Sequence, residues 1–464
     1  MNFTNSSLFY AFSYVFCPLY LIKYSIFNFL NYSTYVPWLI RIHKILNILI
    51  QISFSFVVIL STIYLIMGII AYNKPKVESP SINLDEAPFV TIQIPTYNEL
   101  AAINCALACL NFDYPKDKME IIIGDDSNDP EISKQIDIFA QKHPNQIKVT
   151  RRGSNEGFKP GNLNFMLKFT KGDFIAIFDS DFLPPRNFLK KALYPFRNNP
   201  KLAAVQTRWK ISNLTQNFYS LLGGMTAYVT HYIAIPFMQH IGGSAFICGS
   251  GHITKKSHLE SIGGWRVGSL TEDIEASLEF IKNGKTIDYI PDVLVECEAP
   301  FKFKDLILQQ KRWASGNITA FKRNLLKIWK SPNINKRKKI SASIFTTGYL
   351  YPYFLLFLII WGLISNVIPN PIAPPFNLIG FILGTIGSTL VTSGALIASS
   401  LVLIEKKQQK LIPKFLFGTF TIGIGLLIYV NIGIYSGLFN RKIPWYMIEK
   451  QGNSQVPLDL DIEA

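Results

Sequence analysis

Apolar and polar positions are unevenly distributed along this chain, and the unevenness divides it into regions. Residues 45–72 carry no charged side chain over 28 positions, long enough for a helix to cross a bilayer. Two further charge-free stretches, 340–366 and 376–404, follow late in the chain, and a fourth, 411–438, holds only Lys414. Residues 8–30 are also apolar, but Pro18 and Lys23 interrupt them, which suits either a spanning or an interfacial helix. No short apolar core leads to a small-residue cleavage site, so no cleavable signal is expected.

Between the membrane-type blocks the pattern changes to short apolar runs separated by helix-like segments. "FVTIQIP" (89–95), 120–124 within "MEIIIGDD", and "FIAIF" (174–178) read as buried strands. Helices are expected near 100–111, 130–142 and 162–169. Strands alternating with helices at this spacing predict a doubly wound α/β domain with a parallel sheet. Each run ends in a polar cluster: Tyr97 and Glu99 after the first, Asp125 and Asp126 after the second, Asp179 and Asp181 after the third. Ligands of such sheets bind at the carboxyl ends of the strands.

Composition sharpens this picture. The chain is 49% hydrophobic, 14% aromatic and only 17% charged, yet its net charge is +15. Much of the excess lies in Lys322–Lys339, "KRNLLKIWKSPNINKRKK", which has eight basic residues and no acid. A basic run abutting an apolar segment marks the cytoplasmic side of a membrane helix and attracts anionic headgroups, so nucleic acid is not the expected partner. Lys74 and Lys76 mark the same side after 45–72. The five cysteines (Cys17, Cys105, Cys109, Cys248 and Cys297) form no CxxC pair, which argues against zinc and thioredoxin-like sites.

The candidate chemistry follows from the strand ends. Asp179 and Asp181 alternate onto one side of an extended end and offer a partial shell for Mg2+ or Mn2+, ions that recruit phosphates and water as further ligands. The alternative is that Asp181 or Ser180 caps a helix starting near Pro185. Lys159, in a loop with Gly157 and Gly161, is a phosphate partner or a solvated loop lysine. No GxxxxGK[ST] or GxGxxG is present, which points to a sugar nucleotide. Glu272 and Asp273 open a predicted helix, where they act chemically or stabilise its dipole. Gln309, Arg312 and Trp313 lie on an amphipathic helix, as a sugar platform or an interfacial anchor.

Taken in order, "PTYNE", "GDDSND", "GFKPGN", "FDSDF", "TED" and "QQKRW" resemble the processive, membrane-embedded family 2 glycosyltransferases, the group of cellulose, chitin, hyaluronan and mannan synthases. The resemblance covers roughly residues 88–330. It implies a GT-A-type doubly wound mixed sheet in the cytoplasm, flanked by transmembrane helices. It implies that Tyr97, Glu99, Asp125, Asp126, Lys159 and Asp179 bind a UDP- or GDP-sugar donor, and that Asp179 and Asp181 hold the metal. Asp273, beside Glu272, would be the base that deprotonates the acceptor. Gln309, Arg312 and Trp313 would bind the glycan acceptor and the diphosphate. The chemistry would be an inverting transfer to a growing polysaccharide, coupled to translocation across the cell membrane.

The resulting division is a membrane region 1–76, a linker 77–87, a catalytic domain 88–300, an interfacial region 301–339, a second membrane region 340–438 and a tail 439–464. Two departures bear on the product. Phe182 stands where bacterial cellulose synthases tend to carry His, closer to plant mannan and glucan synthase-like enzymes. "WYMIEKQG" (445–452) resembles the family's gating loop at Trp445, Lys450 and Gly452, with Ile448 in place of its threonine. The alternative within the same chemistry is transfer of a single sugar to a lipid. A transporter leaves the strand-end carboxylates unexplained. Three crossings after residue 340 would put the tail outside, whereas Arg441, Lys442 and the gating-loop resemblance place it inside; the inside is expected.

Overall fold

The computed structural model describes residues 32–75, 77–332, 334–370, 378–444 and 446–451. The apolar stretch 8–30 lies outside them, as do Lys76, Trp445 and Gly452. The chain divides into two compact units, a smaller one built on residues up to Ile63 with Leu350–Ala395, and a larger one of Tyr64–Tyr349 with Leu396 onward.

A seven-stranded mixed sheet forms the heart of the larger unit. Its strands are β1 (Val90–Thr96), β2 (Met119–Asp125), β3 (Ile147–Thr150), β4 (Phe174–Ile177), β5 (Leu202–Ile211), β6 (His252–Lys255) and β7 (Thr286–Cys297), in the spatial order β3-β2-β1-β4-β6-β5-β7. β1, β2 and β3 are parallel, as is β4 on β1; β6 runs antiparallel to both β4 and β5. The near-continuous burial of β1 and β2 explains their unbroken apolar pattern, since helices cover both faces. One apolar core includes Ile92, Ile94 and Phe178 and the other Ile175, Ile177 and Phe246.

The chain moves from β1 to β2 and β3 on one side and returns to β4 on the other. This reversal opens a crevice at the carboxyl ends of β1 and β4. In register, Thr96 stands beside Asp125, and Asp179 follows two residues after the end of β4. The polar clusters read from the sequence therefore share one edge of the sheet.

The late apolar segments differ in detail from their sequence reading. The first of them divides into a helix Lys336–Thr347 and a candidate span Leu350–Val367. The second is bent by 59° between Ile382–Thr392 and Gly394–Glu405. The helix Ile412–Leu438 is long and apolar enough to cross a membrane, yet one face of it packs along the helix Phe303–Lys330. A Cβ at Gly433 would lie 2.3 Å from the Lys311 carbonyl oxygen, and one at Gly437 would lie 2.6 Å from that of Ser315. The other face exposes Phe417, Phe420, Ile424, Ile428 and Ile432 at helical spacing. Toward the amino terminus the helix Tyr32–Tyr72 starts well before the predicted 45.

Candidate active site

The first strand end supplies a tight turn. Asn98 sits at φ 54, its amide donating to Ser127 Oγ (2.8 Å), and its side chain donates to Asn128 (2.6 Å). Asn is among the few non-glycine residues that take this left-handed conformation readily. Tyr97 precedes this turn, and Glu99 follows it, accepting a hydrogen bond from Ser180 Oγ. Burial pushes the Glu99 carboxyl up to about 7, with Lys450 pulling the other way.

At the end of β2 the two acids have separate partners. Asp125 accepts from the Ser127 amide (3.0 Å), Ser133 Oγ (2.7 Å) and Arg151 Nε (2.8 Å). Burial would raise its carboxyl, but these donors hold it below the usual range. Asp126 is clamped by Arg152, at 2.9 Å from Nε and 2.6 Å from Nη2. Burial raises its carboxyl despite that guanidinium. Arg151 and Arg152 were missed as site residues; the signal was the "RR" directly after β3, two positive charges at a third strand end.

The "GFKPGN" segment is a helix start, not a loop: Phe158–Leu167 is helical and Lys159 lies in its first turn. That turn aims the ammonium inward. Lys159 Nζ lies 2.5 Å from Asp179 Oδ1 and 3.5 Å from Glu272 Oε1, and donates to the Gly249 carbonyl at 2.8 Å. Burial works against this charge, but Asp179 and Glu272 outweigh it and raise its pKa. One lysine thus joins the carboxylate after β4 to the acids that open the helix Glu272–Lys282.

The capping alternative does not describe Asp181 or Ser180, whereas Glu272 and Asp273 do lie in the first turn of Glu272–Lys282, where their charge also favours the helix dipole. The helix after Pro185 is Phe188–Ala192 with Asn187 at its cap, away from Asp181 and Ser180. Thr271, not an acid, occupies the cap position of Glu272–Lys282. Burial and then the charge of Glu272 push the Asp273 carboxyl up to about 7, opposed by Lys159. Asp179 is likewise raised by burial, with Lys159 opposing.

Asp181 receives Lys450 from the tail, Nζ to Oδ2 at 2.8 Å. The Gln451 amide donates to Glu298 at 2.7 Å, and Lys302 pairs with Glu449. Of the gating-loop-like residues, Lys450 therefore reaches the strand end. The two aspartates of "FDSDF" each face a lysine. Among the described residues no group of three or more His, Cys, Asp or Glu is arranged to hold a metal. Two carboxylates of hard oxygen donors remain a fitting partial shell for Mg2+ or Mn2+, provided that phosphate and water complete it.

Gln309, Arg312 and Trp313 are half-buried at i, i+3 and i+4 on the helix Phe303–Lys330. This helix presses against the helix that Glu272 and Asp273 open. A Cβ at Gly316 would stand 2.4 Å from Thr271 Cγ2, and Arg323 pairs with Glu275 at 2.8 Å. The acceptor-type motif and Asp273 are thus tied by direct packing one turn away from each.

Residues 87–316 match the family described as glycosyltransferase like family 2. The chain carries a family 2 glycosyltransferase domain. Probable glucomannan 4-beta-mannosyltransferase 7 of Oryza sativa subsp. japonica is 30% identical over 301 residues, 62% of this chain and 49% of the relative. Glucomannan 4-beta-mannosyltransferase 9 of Arabidopsis thaliana is 30% identical over 285 residues, 58% of this chain and 52% of the relative. The chain spans about half the length of the curated relatives it matches. Among solved structures, mannosyltransferase PcManGT from Pyrobaculum calidifontis, in complex with GDP-Man and Mn2+, superposes with a TM-score of 0.59 at 18% identity. It covers 86% of this chain and 100% of its own, and supports the GT-A-type fold.

Within the family 2 glycosyltransferase domain one more buried group stands near Lys159. His252, at the start of β6, packs edge-on to Trp265, and burial, followed by the Lys159 charge, lowers its pKa to about 3. Neither of its ring nitrogens has a hydrogen-bond partner among the described residues. A histidine between Gly251 and Ile253 at the head of a short strand gave no signal separable from core packing.

Proposed function

We propose that this chain transfers a mannosyl residue from a nucleotide sugar, GDP-mannose in preference to a UDP-sugar, to a hydroxyl of a growing polysaccharide, inverting the anomeric carbon. The observation that carries this reading is Lys159 bridging Asp179 and Glu272 beside Asp273, because it puts a diphosphate-binding cation next to a carboxylate poised near neutrality. The mannosyl unit and polysaccharide acceptor are supported by the names of the plant relatives, and the donor by that of the archaeal neighbour.

In this reading Tyr97, Glu99, Asp125 and Asp126 line the nucleoside end of the crevice. Lys159 neutralises diphosphate charge. Asp273 takes the acceptor proton as its oxygen attacks, and one base suffices for a single displacement. Asp179 and Asp181 would hold a divalent cation, which when bound supplies positive charge to the departing diphosphate. Gln309, Arg312 and Trp313 position the acceptor, with the aromatic ring stacking on a sugar face. The catalytic domain faces the cytoplasm, since the basic run Lys322–Lys339 and Lys74 flank it. The enzyme is processive and passes its product into the membrane region, a reading supported by the presence of an acceptor-type motif in a chain with three candidate spans among its described residues.

Incubating membranes that contain the full chain with labelled GDP-mannose, UDP-glucose and UDP-N-acetylglucosamine, and sizing the products, tests the reading. Long mannose-containing chains, lost with chelator and in Asp181→Ala, are expected. Trp313→Ala should shorten or abolish them. A single sugar on a lipid at saturating donor would replace the polysaccharide acceptor with a lipid. Full activity in chelator would remove the metal.

A further inference from the structure

A second cluster of charge lies apart from the transfer site. Lys74 stands two residues past the end of the helix Tyr32–Tyr72, and Lys406 directly follows the helix Gly394–Glu405. Arg208 reaches them from β5. Its guanidinium carbon lies 4.1 Å from the centre of the Tyr232 ring, and Nε donates to Tyr289 Oη at 3.2 Å. Lys406 Nζ donates to Tyr232 Oη at 3.0 Å and lies 4.7 Å from the centre of the Tyr228 ring.

The aromatic faces hold Arg208 and Lys406 in fixed positions. They also bring like charges together: burial, and after it the Arg208 charge, lowers the pKa of Lys74. Glu405 acts on Arg208 from the same helix end, so an acid stands beside this gathering of positive charge. Half-buried cations at close quarters cost energy that an anion would relieve. An arginine fork sharing Tyr232 with a lysine suits the tetrahedral oxygens of a phosphate. The two apolar helices that precede Lys74 and Lys406 pack closely, since a Cβ at Gly68 would lie 2.6 Å from Ala398 Cβ. Basic pockets at the ends of membrane-type helices bind anionic headgroups.

We propose that Lys74, Arg208 and Lys406 form a binding site for a phosphate-bearing anion, either the headgroup of an anionic phospholipid or free phosphate. The site is independent of the transfer reaction and of the donor assigned above.

Two arms test it on the full chain. In the first, protein from nanodiscs of phosphatidylcholine with phosphatidylglycerol is examined by native mass spectrometry for retained phosphatidylglycerol. In the second, thermal melting in detergent is followed as inorganic phosphate is added. Arg208 packs among tyrosines and its removal could disturb folding, so Lys74→Gln and Lys406→Gln are the variants, with exposed Lys407→Gln as the control. Each test variant should retain about fivefold less phosphatidylglycerol, the factor that corresponds to about 1 kcal/mol per basic residue; Lys407→Gln should match wild type. A phosphate-dependent rise in melting temperature that both variants lose, without lipid retention, supports the site and identifies free phosphate as its occupant. Equal lipid retention and equal phosphate response in wild type and both variants overturns the proposal.

Discussion

In the proposed transfer Asp273 must be a carboxylate when the acceptor arrives, and its surroundings make that a matter of pH. Burial and Glu272 raise it to about 7, so above that value the base form predominates and below it the proton stays on. Transfer at saturating substrate should therefore decline as pH falls through about 7, by about tenfold per unit at the acid limit. Asp273→Asn keeps the shape of the side chain and removes the base. It should bind nucleotide as wild type does while losing about 100- to 10,000-fold in rate, the span associated with a positioned general base. Nucleotide binding by calorimetry alongside single-turnover transfer checks both halves. An asparagine variant with wild-type turnover would send the search for the base to another residue.

The helix Phe303–Lys330, which carries Gln309, Arg312 and Trp313, touches Thr271, and that contact has no spare room. Gly316→Ala would place a methyl 2.4 Å from Thr271 Cγ2 and 2.6 Å from Oγ1. Overpacking of this kind costs about 1–3 kcal/mol, and the strain falls on the turn that carries Asp273. Thermal melting should show a lower midpoint, and Thr271→Ala in the same chain should restore part of it. No change on Gly316→Ala would mean that the two helices separate freely. This contact also shows the limit of reading from sequence. β1, β2 and β4 were legible because strands buried on both faces give unbroken apolar runs, and the acids after them stood out against those runs. The start of the helix at Phe158 was not, because Gly157, Pro160 and Gly161 read locally as loop. Nor was the pairing of Asp181 with Lys450, 269 residues apart in sequence, which only the folded chain brings together.

At the scale of the whole molecule, the side on which the chain ends follows from what its last described segment touches. Counting the segments 340–366, 376–404 and 411–438 as three crossings would carry the tail away from the catalytic domain. The last of them does not behave as a crossing: Lys322 on the helix Phe303–Lys330 donates to the Gly437 carbonyl at 3.4 Å, while near its other end Gly418 would meet Phe218 at 3.1 Å. Both ends of Ile412–Leu438 thus lie on the domain that contains the sheet, and its exposed apolar face is suited to lying in the membrane surface. Lys450 then reaches Asp181 without passing through a bilayer. A reporter fused after Ala464 should accordingly be active on the same side as one inserted after Asn283, which is exposed in the turn between Glu272–Lys282 and β7, and that side should be the cytoplasm. Protease added to sealed vesicles offers an independent readout: it should cut both sites or neither. Activity of the two reporters on opposite sides would restore the third crossing and separate the tail from the site in the native membrane.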